Sequence, residues 1–300
     1  MTNPTAAIDF LADWRATLQQ RLTGMGYPAN PSDSFQIVST KYFNARHRRI
    51  TQQPRDILKA PQFSCPPELA MALSRLGNAI QVGTDLMPYQ STRLSSPKFD
   101  DYLLNDWDIH HLHLGTGPHP KVPNFVARSG PVLFARLTSN TAYFIGVLAH
   151  GSWTMIQLIE ILHQNWPSSI QEQRIAGAVA TEKKPADIDV EMLRGANVNT
   201  LLEIAPGVVY RPLGGGYTLD GTAMRVAMTV TRSVQTLRKL EKWTRANTPA
   251  LLKQIAQRGL TPATPPRFSL IVDQHEVHIR ENGSGFDHQI NEPMLTGWLA

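Results

Sequence analysis

Asp106-Trp107-Asp108-Ile109-His110-His111-Leu112-His113-Leu114 reads as a buried or half-buried strand that carries three of the chain's ten histidines in four positions. Alternate residues of a strand share a face. Ile109, His111 and His113 therefore point one way, and His110, Leu112 and Leu114 the other. At a rise of about 3.3 Å per residue, His111 and His113 stand roughly 7 Å apart. Imidazole titrates near neutrality, binds metals and carries protons, so such a pair suits acid/base chemistry, a metal, or a hydrogen-bonded core. By this spacing His110, grouped with leucines, is the structural member.

Downstream of this strand, Gly115 to Pro120 forms a loop. Pro131–Thr138 and Thr141–His150 are two apolar runs separated by Ser139-Asn140, the pattern of a tight hairpin. Gly151 breaks the sheet, and Ser152 or Thr154 is expected to cap a helix that stops before Pro167. Upstream, Pro66 begins a helix to about Val82 with Leu69, Leu73, Leu76 and Ile80 inward and Gly83 at its end. Residues 99–105 form a short turn or helix. The fold class is thus α+β, an antiparallel sheet flanked by helices.

Towards the N-terminus, Ala6 to Leu22 has helical spacing, and Phe35 to Thr40 reads as a short strand. Residues 177–199, weakly periodic and rich in Ala, Lys, Asp and Glu, read as a linker. Leu201–Ile204 and Val208–Arg211 form a second hairpin around Pro206-Gly207. A glycine-rich turn at 213–217 leads into a long helix from about Thr222 to Arg258, in which Pro249 starts a new segment. Phe268–Val272 and Glu276–Arg280 form a last hairpin, and the stretch after Gly283 reads as a loose tail. The expected organisation is a domain over 1–175 with the histidine strand, a connection over 176–199, and a second α+β region over 200–300 with the long helix.

The 300 residues are 42% hydrophobic and 18% charged, which describes a globular chain. No apolar run is long enough for a bilayer, no secretory signal is visible, and the cytoplasm is the expected location. A single cysteine, Cys65, excludes an internal disulfide framework and a Cys-based zinc finger, and it has no histidine near it in sequence. The net charge of +5 is concentrated between Lys41 and Lys59. There Lys41, Arg46, Arg48 and Arg49 form either a phosphate-contacting surface or a solvated face.

Around the histidine strand, a metal would need a third ligand from His119, His150 or Asp108. His150, followed by glycine at a strand end, lies where active sites often open. Arg128 and Arg136 bracket the first hairpin strand and have the chemistry to clamp a phosphate. His163 sits near a helix C-terminus. The Gly214–Gly216 run lacks the lysine and strand–helix context of a phosphate loop, so it reads as a structural turn.

Asn105 to Leu114, Gly130-Pro-Val-Leu-Phe-Ala-Arg-Leu137 and Ile145-Gly-Val-Leu-Ala-His-Gly151 together resemble the sheet of RelE/HigB-type toxins. The resemblance is confined to residues 105–151, and the lysine-rich phrase many of those toxins carry is replaced by Gly151-Ser-Trp-Thr154. It implies a RelE-like core and metal-independent RNA cleavage by attack of the ribose 2′-OH. On that likeness, Arg128 or Arg136 would stabilise the phosphate, His150 would lie near the scissile bond, and His111 or His113 would replace a basic residue. The function it points to is a toxin-like endoribonuclease without cofactor or metal. Its expected partners are RNA or the ribosome and an antitoxin or regulatory protein, and no membrane. Two other readings of the residues stand beside it: a non-enzymatic nucleic-acid- or protein-binding regulatory protein, and a metal-dependent hydrolase using the histidine cluster.

Overall fold

The computed structural model describes residues 6–178, 185–273 and 276–290. In chain order, the first part runs β1 (Ala7–Ile8), α1 (Phe10–Gly24), α2 (Phe35–Arg48), β2 (Asp56–Lys59), α3 (Ala70–Val82), α4 (Tyr102–Trp107), β3 (His110–His113), β4 (Pro131–Leu137) and β5 (Thr141–Ala149). There follow α5 (Gln157–Asn165), α6 (Asp187–Gly195), β6 (Leu202–Ala205), β7 (Val208–Tyr210), α7 (Met224–Gln257), β8 (Arg267–Asp273), β9 (Glu276–Glu281) and β10 (Phe286–Gln289). The architecture is α+β, as the sequence indicates.

Two compact units result, Asn44–Arg225 and a discontinuous one made of residues 1–43 and 226–300. They do not coincide with the boundaries expected from sequence at 175 and 200, because the chain's two ends share a unit. In the discontinuous unit, β1 pairs parallel with β8, and β8, β9 and β10 are antiparallel. Phe10, Trp14, Leu18 and Leu22 recur at helical spacing on α1 and are buried. Asp9 caps α1 by accepting from the Ala12 amide, and Asp13 accepts from the Leu270 amide of β8. The stretch after Gly283 is therefore a paired strand as far as Gln289, since Glu281 folds the turn by accepting from the Ser284 amide and hydroxyl. The rest of the expected tail, 291–300, lies outside the described residues.

The histidine strand belongs to the other unit, in a sheet of order β2-β5-β4-β3. β3, β4 and β5 are antiparallel, and β2 adds a parallel edge. On one face Leu112, Leu133, Ala135, Phe144 and Val147 pack on Leu73, Leu76 and Ile80 of α3. On the other, Ile109, Val132, Phe134 and Ile145 pack on Leu158, Ile159 and Leu162 of α5 and on the β6–β7 hairpin. The α3 helix ends at Gly83, whose φ of 80° is left-handed, as the glycine at that position requires.

A bulge divides the β4–β5 register: Phe134 pairs with Gly146 and Ala135 with Phe144, so Ile145 is extra. One extra residue inverts the facing of everything after it. Phe144 and Val147 thus both face α3, whereas Ile145 and Leu148 face α5. His150, two residues beyond Leu148, lies on the face of His111 and His113.

Several local expectations are corrected. Residues 35–40 belong to helix α2, since the helix continues through Tyr42, Phe43 and Ala45, which it buries. Neither Ser152 nor Thr154 caps α5: the helix starts later, and the Ile156 amide is held by the Asp187 carboxylate. Pro249 lies inside a continuous α7 rather than at a segment start. The supposed linker over 176–199 contains α6, which is anchored by a buried charge.

That charge is Arg194. It is 6% exposed, and its Nη2 lies 2.8 Å from Oδ2 of Asp106, itself 2% exposed at the end of α4. The guanidinium also covers the Trp107 ring at 4.5 Å and donates to the Trp153 carbonyl at 2.6 Å. The glycine run completes this junction. Gly214 and Gly216 amides donate to the Asp106 and Asn105 carbonyls, and a Cβ on Gly214 would meet the Leu104 carbonyl oxygen at 2.2 Å. The run is a structural turn.

Removing one partner of a buried ion pair strands the other. Asp106→Leu is expected to cost about 3–5 kcal/mol in urea unfolding, and Asp106→Leu with Arg194→Met to recover most of that loss. A single-variant cost below about 1 kcal/mol would contradict an anchoring role for the pair.

Candidate functional site

β3 delivers His111 and His113 to one face, as their spacing requires, and the bulged end of β5 delivers His150. The three rings form a triangle, with centroid separations of 6.0 Å (His111–His113), 6.4 Å (His111–His150) and 5.7 Å (His113–His150). His113 and His150 are stacked, 30° from parallel. Trp153 closes the cluster at 4.6 Å from His111 and 4.8 Å from His150. It is held there through its carbonyl by Arg194, so α6 positions the wall of the site.

A cavity of about 390 Å³ opens on this cluster. His111, His150, Trp153, Arg93 and Arg128 line it, together with Asp100, Asp101 and Tyr102 from the start of α4. The cavity is within the size range of small-molecule sites. His113 does not line it. It lies beneath, 1% exposed, with neither ring nitrogen hydrogen-bonded to a described residue. A buried imidazole without partners is uncommon, because each unpaired polar group costs desolvation energy.

The imidazoles are held neutral. Burial pushes His113 down to about 3, and the positive charge of Arg128 adds to it. Burial also lowers His111, against the pull of Asp101, whose Oδ2 lies 4.0 Å from His111 Nδ1. His150 is lowered by burial and by Arg128 and Arg93. Asp100 moves the opposite way, pushed up to about 6 by burial despite Arg48. Burial thus favours the uncharged form of both the imidazoles and the Asp100 carboxyl.

The remaining sequence candidates lie elsewhere. Arg136 ends β4 and pairs with Asp108, Nη2 to Oδ2 at 3.0 Å, so the two arginines that bracket β4 serve its opposite ends. His119 turns into its own loop, where its Nδ1 accepts from the Lys121 and Val122 amides. Among the described residues, no three His, Cys, Asp or Glu side chains are placed to hold a metal ion. His163 Nδ1 meets the Tyr210 hydroxyl at 2.9 Å. Of the basic stretch, Lys41 pairs with Asp33. Arg48 is buried, donating to the Asn44 and Ser96 carbonyls, Arg46 is exposed, and Arg49 lines a second cleft.

Sequence reasoning did not find Arg93, Asp100, Asp101 and Trp153. Asp101 also caps α4, accepting from the Leu104 amide. Arg93 comes from a short 3-10 turn whose sequence carries no chemical signature.

No protein-family model, curated protein or solved structure matches the chain. Among the described residues, no helix is long and apolar enough to cross a membrane.

The depressed imidazoles set a pH dependence. His110, on the other face of β3, is also pushed down to about 3 by burial. In the unfolded chain both His110 and His113 take a proton near 6.5, whereas in the fold they stay neutral. Their contribution to stability is thus complete above about 6.5 and falls away as the pH drops toward about 3. Urea unfolding is expected to show this decline, and His113→Gln to make it shallower. Equal stability at pH about 6.5 and about 4 would contradict neutral burial.

Proposed function

We propose that the chain is a metal-independent endoribonuclease that cleaves through the ribose 2′-OH, in the manner of the RelE/HigB-type toxins its sheet sequence resembles. The observation that carries this reading is the convergence of His111 and His150 with Arg93 and Arg128 on one cavity. Such cleavage needs a base, an acid and cations on the phosphate, with no covalent enzyme intermediate.

Each residue has a role that follows from its surroundings. Asp101 faces His111 Nδ1, leaving Nε2 of the neutral ring to take the proton of the 2′-OH. The 2′ oxygen attacks phosphorus, and the bond to the 5′ oxygen breaks. His150 donates a proton to that leaving oxygen, giving a 2′,3′-cyclic phosphate and a free 5′-OH. His150 must first be protonated, and Arg93 and Arg128 oppose this in the free protein. A bound phosphodiester offsets their charge, so substrate itself favours the acid form. Stacked beneath His150, His113 is a positioning residue.

The test is incubation of the purified protein with RNA and with DNA of the same sequence, with and without ribosomes, in EDTA. RNA alone should be cut, leaving cyclic phosphate ends, and EDTA should have no effect. His111→Ala and His150→Ala should each lower the rate about 10²–10⁴-fold with the fold retained. Intact RNA under every condition, or equal cutting of DNA, would overturn the reading.

A further inference from the structure

At the other end of the β3–β4 pair a second cleft, of about 620 Å³, opens beside Asp108, His110 and Arg136. It is not part of the histidine cavity: no residue lines both. Its walls are polar, with Thr51, Thr138, Ser139, Ser168 and Ser169 among them. Four arginines line it (Arg49, Arg55, Arg136 and Arg225), against the carboxylates Asp108 and Glu172.

Two of these arginines are incompletely matched within the protein. Arg136 is 8% exposed and gives only Nη2 to Asp108. Its Nε and Nη1 are buried without a hydrogen-bond partner among the described residues. Asp108 is shared, since Arg225 Nη1 lies 3.9 Å from its other oxygen. Arg55 donates to the carbonyls of Thr138, Thr51 and Gln53 and, among the described residues, to no carboxylate. Carbonyls satisfy its donors but do not neutralise its charge. Asp108 takes Nη2, which belongs to both two-donor edges of the guanidinium, and this leaves Nε on one edge and Nη1 on the other as single donors for a further oxyanion.

We propose that this cleft is a phosphate-binding site, in which Arg136 Nη1 donates to one phosphate group and Arg55 supplies balancing charge. The ligand is a phosphate of a nucleotide or of an RNA chain. The site is independent of cleavage at the histidine cavity, and its existence does not require that reading. In an RNA-cleaving protein it would give substrate a second hold, away from the scissile bond.

Arg136→Met would leave the half-buried Asp108 beside too little charge and could unfold the protein, so Arg136→Lys is the variant to use. It keeps a cation for Asp108 and removes the two unused donors. Thermal unfolding would be followed against inorganic phosphate, 5′-AMP and a short non-cleavable 2′-O-methyl oligoribonucleotide, with chloride at matched ionic strength as control. Saturable stabilisation is expected in the wild type and in Arg93→Gln/Arg128→Gln, with at least about a tenfold weaker Kd in Arg136→Lys and in Arg55→Gln. A response to all three ligands identifies a site for a free phosphate group, and a response to the oligonucleotide alone identifies a polymer-backbone site. Both support the proposal. It is overturned if no ligand stabilises beyond chloride, or if stabilisation is lost in Arg93→Gln/Arg128→Gln and kept in Arg136→Lys.

Discussion

The Asp106–Arg194 pair is the contact on which the candidate site depends. A charge taken out of water is tolerated only where geometry compensates it, and here one guanidinium meets a carboxylate, an indole face and a carbonyl. The carboxylate terminates α4, immediately before the histidine strand. The indole belongs to Trp107, and the carbonyl to Trp153, which packs on His111 and His150. One side chain from α6 therefore fixes the entry to β3 and the residue that covers the imidazoles. The glycine turn at 214–216 secures the same junction from the backbone side.

Electrostatics separates the two ends of the β3–β4 pair. At the β5 end, imidazoles are crowded beneath arginines, and both burial and like charge favour their neutral form. At the other end, Asp108 takes up the left-handed turn position after α4, with φ of 57°, and draws Arg136 inward. Asp tolerates this conformation better than most side chains, and its carboxylate then reaches the end of β4. The strand pair thus presents base-type chemistry at one end and excess positive charge at the other.

Much of the scaffold was legible in the sequence because it rests on local periodicity. The apolar runs of β4 and β5, the heptad-like spacing of α3 with Gly83 after it, and the alternation of β3 all lie where their patterns put them. Longer-range causes were not legible. The 35–40 segment reads as a strand until its helical continuation is seen, and α5 takes its first amide partner from Asp187, thirty-one positions away. The stretch 177–199 reads as a linker because its decisive residue is a single arginine whose partner lies 88 positions earlier.

By itself the sequence determined that His111 and His113 share a face and that His110 does not, because a strand repeats every two residues. Only the tertiary structure decided that His150 joins them. An extra residue at Ile145 inverts the facing of the end of β5, and a bulge arises from the pairing of two strands. It likewise decided that His113 is sealed while His111 opens to a cavity, and that Arg128 and Arg136 serve different ends of the sheet. Which side of a strand a residue occupies is set by its neighbours in sequence, but what covers that side is set by segments distant in the chain.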